Sequence, residues 1–550
     1  MRERADGRGL LFTLRFDAVD LRATAYETGL SWDPLGVAML GIGDGEIPDV
    51  PWTGGKSALL EYADHTMVFG PSDPDRPNVL LQGRFAGEMR FDRTVRVWVG
   101  DDARSSLSFG DIELENADGA LDDLVARYAV DGQEARLFMG PRYAAKGSKS
   151  AASWAEQTQM MTVQIIGWQP GQETVGLEIG EEALGLDSVV QTAAYGGSGG
   201  ADGAAEVAGV RKPLCFGDCR NLTPYQCDPA GRLYQVHSEA IVGIPAVRAN
   251  GVPLTQGADH PTSAALMAAV LGAGSYATCL AEGVFRLGSD PDGTLTADVI
   301  GDATLGAAPS AAEIAVRLLE GWAGIRSDRI AKGSWWALPA GDMALVVAAD
   351  SSESTGDLIN RLMSGLWGWW GVAGSGQIRA GIFQDLAGLP TVASITETDL
   401  LSLEEASPLP ILRRLSVAYG RNWTSQTNLP GSVSAADRAA WERDHLSARS
   451  VSNTALANHL GALDVDLSEA LWVSALDAQA VADRAIAALG QQSRLWELRL
   501  HGPGTGLSIG DVVSLSYPRL GLSAGTKAMV IGIAEAPMAS DITLTLWGRL

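Results

Sequence analysis

SSLSFGDIELEN, residues 105–116, alternates apolar and polar side chains in its second half, Ile112-Glu113-Leu114-Glu115. RFAGEMRFDRTVRVWVG (84–100) does the same just before it. A period of two puts one set of side chains on each face of a strand. One buried and one wet face implies antiparallel pairing. EARLFMG (134–140), QMMTVQIIGW (159–168) and TVGLEIG (174–180) continue the pattern, separated by Gly, Asp and Pro. ADGALDDLVARYAV (117–130) interrupts it and reads as a short helix, with 120–129 the stretch suited to cover a sheet. YAAKGSKSAASWAEQ (143–157) is small and polar and reads as a long exposed hairpin tip.

Further along, GGSGGADGAAEVAG (196–209) has the composition of a linker. The section from 210 to 395 begins with strands, LYQVHSEAIVGIPAV (233–247) and GVFRLG (283–288). Two helices follow. SAAEIAVRLLEGW (310–322) opens with the capping pair Ser310 and Glu313. STGDLINRLMSGLWGWW (354–370) carries Leu358, Leu362 and Leu366 at helical spacing. From 396 to 550 strands return: RRLSVAYG (413–420), SRLWELRLHG (493–502), DVVSLSY (511–517), KAMVIGIAEA (527–536) and DITLTLWG (541–548). One helix, DAQAVADRAIAALGQQ (477–492), precedes the last four, with Asp477 as its expected cap and 477–489 as a second cover for a sheet. The domain reading is 1–195, a linker 196–209, an α/β section 210–395, and a β-rich section 396–550. The outer two share a plan of several strands and one helix.

The 550 residues exceed one ordinary core. With 66 acids against 41 bases the net charge is -25, which argues against holding nucleic acid as a ligand. It suits a surface that nucleic acid passes without sticking. The start, MRERADGRGLLFTLRF, has no apolar core of a signal peptide. Apolar runs such as ALMAAVLGAG (265–274) fall short of the roughly 20 residues of a membrane span. No stable membrane insertion is expected. Four cysteines are no disulfide framework and suit a reducing cytosol.

Three of those cysteines fall in KPLCFGDCRNLTPYQCDPAGRLYQVH (212–237), with His237 beside them. Cys215, Cys219, Cys227 and the distant Cys279 lack the paired C-x2-4-C spacing of structural zinc. Cys215, between Leu214 and Phe216, and Cys279, in YATCLAEG, read as buried small hydrophobes. The alternative, an iron–sulfur cluster on Cys215, Cys219, Cys227 and Cys279, needs four converging thiolates, and distance in sequence leaves it open. The acids of 110–123 and 396–405 read as turns, caps and solvated faces. GGSGG (196–200) lies in a linker and not between a strand and a helix, and the sequence carries no Walker loop or zinc-protease helix. No catalytic, cofactor or metal residue is expected. Trp367, Trp369 and Trp370 suit a helix end packed on a sheet, or a subunit contact, better than a sugar platform.

Four stretches together, FGDIELENADGALDDL (109–124), 212–237, YATCLAEGVFRLGSDPDGTLTADVIGD (276–302) and LSIGDVVSLSYPRLGLSAGTKAMVIGIAEA (507–536) with its closing ITLTLWG (542–548), resemble baseplate hub and tail-tip proteins of long-tailed, siphovirus-like bacteriophages. The resemblance implies a mainly β, multidomain chain with α+β parts, in which two tube-type β-barrel domains flank an inserted α/β domain. It implies a virion structural protein and not an enzyme. Three copies would form a pseudo-sixfold ring that continues the tail tube and lines the DNA channel during ejection and genome delivery. Partners would be sister copies, the distal tail protein, other tail-tip proteins, and a central fibre or tape-measure protein. DNA would pass through without specific binding. The location would be the virion tail tip, assembled in the host cytoplasm, and 143–157 would be an assembly loop. Some related tail-tip proteins carry an iron–sulfur cluster. The competing readings are a sixfold distal tail ring, a tip-borne cell-wall hydrolase and a receptor-binding module using the tryptophans.

Overall fold

The computed structural model describes residues 10–20, 56–86, 90–109, 112–145, 151–180, 185–406, 408–501, 506–536 and 541–549. The N-terminal nine residues and the centre of the 143–157 loop, 146–150, lie outside them. Strands dominate. No helix among the described residues is long and apolar enough to cross a membrane.

The first sheet curls until its ends meet. In spatial order it runs Met67–Val68, Leu80–Gly83, Lys56–Ala63, Leu10–Asp20, Glu134–Pro141, Thr158–Pro170, Thr174–Ile179 and Ile112–Glu115. The chain just past Gly83 then reaches the far edge. Phe85 bridges Leu114, Ala86 N donates to Glu113 O at 3.0 Å, and Glu115 N donates to Arg84 O at 2.6 Å. Alternate residues fill the inside: Phe12, Leu14 and Phe16 from one strand, Ile112 and Leu114, Leu137, Ile165, Val175 and Leu177 from others. This is the outcome of the period-two pattern at 112–115, whose Glu113 and Glu115 face solvent.

A second sheet is built mostly from the C-terminal section. Its order is Ala393–Ile395, Val512–Leu515, Thr526–Ala536, Asp541–Gly548, Arg494–His501 and Leu400–Glu405. The two edge strands are neighbours in sequence. A single turn, Glu397–Asp399, carries the chain across the remaining gap, its backbone held by reciprocal bonds between Thr396 and Asp399. Trp496, Leu498, Leu500, Val513, Leu515, Val530, Leu544 and Leu546 pack its interior.

Strand pairing crosses the sections read from the sequence. The hairpin Phe91–Thr94 and Ser106–Phe109 leaves the first sheet and pairs with Thr526–Ala536, Phe91 opposite Glu535 and Thr94 opposite Gly532. The section 396–550 is itself interrupted. Between 405 and 494 it holds a three-stranded sheet in which Leu412–Tyr419 lies between Leu446–Val451 and, in parallel, Leu463–Trp472. A helix, Ala475–Leu489, covers that sheet with Val481, Ala482, Ala485 and Leu489. Its cap is Ser474, which accepts from Leu476 N, and Asp477 sits inside the first turn. Ser474 wins because its extended backbone (ψ 140°) lets the hydroxyl turn back on the helix start.

The glycine-rich stretch 196–209 is pinned rather than free. Tyr195 N and Gly209 N exchange bonds with Val210 O and Tyr195 O, and Ala204 N donates to Cys227 O at 2.8 Å. Asp202 accepts from Gly196 N, Ser198 N and Ser198 Oγ. Gly203 (φ +81) lies where a Cβ would press on the Tyr195 ring, so the glycines here serve tight packing. Two small sheets follow, centred on Leu295–Asp302 and Val284–Leu287.

The two expected helices of this region form, with shorter spans. Helix α1, Ala311–Arg317, has the reciprocal Ser310 and Glu313 bonds its sequence implies, then loosens into a π-turn, Leu318–Trp322. Helix α2, Thr355–Gly365, starts at the Ser354 and Asp357 capping box. It stops short of 370 because Trp367 takes φ +49, and Gly368–Val372 continue as a strand.

Candidate functional site

The four cysteines are all fully buried, in two separate cores. Cys215 and Cys219 flank the turn at Gly217 (φ +73), where a Cβ would strike the Met343 carbonyl, and pack with Val299 and Phe285. Cys227 and Cys279 pack with Leu233, Leu266 and Val284. Among the described residues no three of them bring their sulfurs within 4.8 Å of one another. Burial pushes the Cys227 thiol up to about 12 and raises those of Cys219 and Cys279. Thiolate chemistry needs the opposite environment.

One trio of potential ligands does converge among the described residues: His237, Glu239 and Asp302, with ligand atoms within 4.8 Å of one another. Sequence reasoning noticed His237 but had no signal for Asp302, which arrives from the end of another strand. Arg317 of α1 binds both carboxylates, Nε to Asp302 Oδ2 at 2.8 Å and a terminal nitrogen to Glu239 Oε2 at 2.7 Å. Thr304 donates its N–H and hydroxyl to Asp302 Oδ1, at 2.8 and 2.5 Å. The Cys215 N–H donates to His237 Nδ1 at 3.0 Å. That bond makes Nδ1 the lone-pair nitrogen, so the neutral ring carries its proton on Nε2. An N–H cannot ligate a cation, and the guanidinium already supplies the positive charge. The cluster is a seam of two carboxylates sharing one guanidinium, beside a neutral imidazole whose lone-pair nitrogen is already engaged. Burial drops the His237 pKa to about 4; Asp302 opposes this and Arg317 adds to it. Asp302 titrates low despite its burial because Thr304 and Arg317 donate to it.

The tryptophans Trp367, Trp369 and Trp370 are 3%, 6% and 0% exposed, which leaves no ring face for a sugar. Trp367 Nε1 donates to Val97 O at 2.9 Å, and its ring meets Phe383 and Trp547. They weld the turn after α2 to the second sheet.

The described ends of the 143–157 loop are anchored hard. Trp154 lies between the guanidinium groups of Arg15 and Arg76, 5.1 and 4.6 Å from its ring centre, with Phe69 and Phe138 against it. Asp73 accepts four bonds, from Asp75 N, Arg76 N, Ser153 Oγ and Trp154 N. Burial raises its pKa, but these donors outweigh it and hold the carboxyl below its ordinary range. The stability it contributes is present above the unfolded carboxyl pKa and is lost as pH falls through the lower folded value. Asp73→Ala is expected to free the loop base. Limited proteolysis should then cut within 143–157 several-fold faster while cleavage elsewhere stays unchanged.

No family model matches the chain, and no curated protein does. Solved structures with some similarity to the chain include the following three. One is a chain from the virion of a native gene transfer agent particle, 15% identical over 62% of this chain and 85% of that one, with a TM-score of 0.39. The second is the tail protein from Neisseria meningitidis MC58, 10% identical over 85% of this chain and 95% of that one, TM-score 0.37. The third is the 43 kDa tail protein of prophage MuSo2 from Shewanella oneidensis, 9% identical over the same shares, TM-score 0.33.

Proposed function

We propose that this chain is a structural baseplate hub protein of a phage tail tip, without catalytic activity. Three copies form a pseudo-sixfold ring that continues the tail tube and surrounds the DNA path. The two curled sheets are its two tube-type barrel domains, and the material between them decorates the ring. The observation that carries this reading is that both curled sheets are packed solid with side chains. Neither can enclose a passage, so in this reading the bore lies between copies around an axis.

The exposed faces suit such a path. Glu404 and Glu497 lie directly opposite each other on neighbouring strands, both exposed, and among the described residues no cation pairs with either. Like charges in that position cost stability. Glu113, Glu115 and Glu178 give the first sheet exposed acids as well. A face of this kind repels a polyanion and lets it slide. The partners are sister copies, the distal tail protein and other tail-tip proteins.

Electron microscopy of assembled particles tests the ring. The expected result is a threefold hub with six copies of the curled sheet around a bore. A single copy per particle, or a true sixfold ring, overturns it. Deleting the polar tip 146–150, which leaves Ser153 and Trp154 with their anchors, is expected to give folded protein that no longer enters particles. Normal particle yield from that variant would remove the assembly role of the loop and leave the ring intact.

A further inference from the structure

His237 is enclosed on every side. The Phe216 and Trp322 rings meet it edge-on at 5.8 and 6.3 Å, and it is fully buried. Its Nδ1 takes the Cys215 N–H, while Nε2 finds no hydrogen-bond partner. The charged groups around it are Asp302 from the end of Leu295–Asp302, Arg317 from α1, and Glu239 two residues along its own chain. The π-turn after α1 places Trp322 here, stacked on the Arg317 guanidinium at 4.5 Å. His237 thus sits where the strands 214–216 and 295–302 meet α1.

We propose that His237 is an acid-sensitive latch that holds this seam closed when neutral and opens it when protonated. Protonation adds one proton, at Nδ1, and makes no covalent change. Two donors, Nδ1–H and the Cys215 N–H, then face each other and that bond is lost. The new charge is shut in with Arg317. The carboxylates that could balance it, Asp302 and Glu239, already hold Arg317. The imidazolium then competes with the guanidinium for the same two carboxylates, whose ligand atoms lie within 4.8 Å of its own, and sharing them loosens the hold of Arg317, and so of α1, on the strands. The folded pKa near 4 against 6.5 for a free histidine fixes the sign. The closed seam is fully stable above about 6.5 and loses stability as pH falls towards 4. The latch stands independently of the tail-tip reading.

Hydrogen exchange on the full chain tests it, with rates corrected for intrinsic pH dependence. Between about pH 7 and about pH 5, protection of the Cys215 amide is expected to fall roughly 20-fold more than that of Thr526–Ala536. In His237→Gln, whose side-chain oxygen still accepts the Cys215 N–H but cannot titrate, that excess loss should vanish. An equal response in both proteins, or no response in the wild type, overturns the latch. Should the variant not fold, the wild-type comparison decides alone: parallel loss of protection at both places overturns it, and selective loss at Cys215 supports it.

Discussion

Glu535→Gln is expected to destabilise the chain by about 3–5 kcal/mol, because it leaves a buried guanidinium without its counter-charge. Arg93 and Glu535 face each other at 3.2 Å with side chains only 7% and 9% exposed. Burial lowers the Arg93 pKa and raises that of Glu535, and each partner opposes the other's shift. Both directions say that desolvation outweighs attraction at this pair. Removing both charges together should then be benign. Arg93→Met with Glu535→Leu is expected to fall within about 1 kcal/mol of wild type or to exceed it. The pair staples the hairpin 91–109 to the strand 526–536, so the single variant should release that hairpin first. Urea unfolding read alongside hydrogen exchange at 91–109 and 526–536 measures both effects. A single variant as stable as wild type would show that the pair is hydrated.

That staple also marks the limit of what the sequence discloses. The alternation at 112–115 announces a strand with a wet and a dry face, and the strand forms. Alternation does not name a partner, and nothing in the residues 91–94 distinguishes pairing with the next strand from pairing with one 442 residues on, where Arg93 meets Glu535. The same holds for Leu412–Tyr419 and Leu463–Trp472, a parallel pair whose crossover is hidden in an apparently continuous β-rich section. Local bonds are more legible. The Ser310 and Glu313 cap is written in three residues' spacing and appears as written. The expected start at Asp477 falls three residues late: the cap is Ser474, and Asp477 lies inside the first turn, because composition marks a good cap without fixing the backbone angles that make one. Gly-rich composition misleads at 196–209, since glycine permits close packing as readily as freedom. The seam at His237 is the extreme case. Its members come from four places in the chain, and the bond that fixes the ring's tautomer comes from a backbone N–H.

Trp472→Ala is expected to cost about 3–5 kcal/mol and to loosen the whole inserted unit 411–489 from the rest. The indole is 2% exposed, and Nε1 donates to Gly365 O at 2.9 Å. Gly365 is the last residue of α2, whose carbonyl end points into the protein. Arg484 serves the next carbonyl, that of Leu366, from the helix 475–489. Burial pulls the Arg484 pKa down to about 10, still far above neutrality, so it keeps its charge beside the negative end of the helix dipole. The inserted unit is thus docked by two side chains that satisfy the last turn of α2. Truncating Trp472 leaves both a cavity and an unpaired buried carbonyl, and the second loss adds to the first. Trp472→Phe keeps most of the volume and loses only the N–H, so it should cost about 1–3 kcal/mol. The ratio of the two effects separates packing from hydrogen bonding. Limited proteolysis locates the damage: cleavage should rise at the boundaries near 406–411 and 490–493 in the alanine variant. Equal destabilisation by Ala and Phe would assign the docking to the hydrogen bond alone, with the ring's volume contributing nothing.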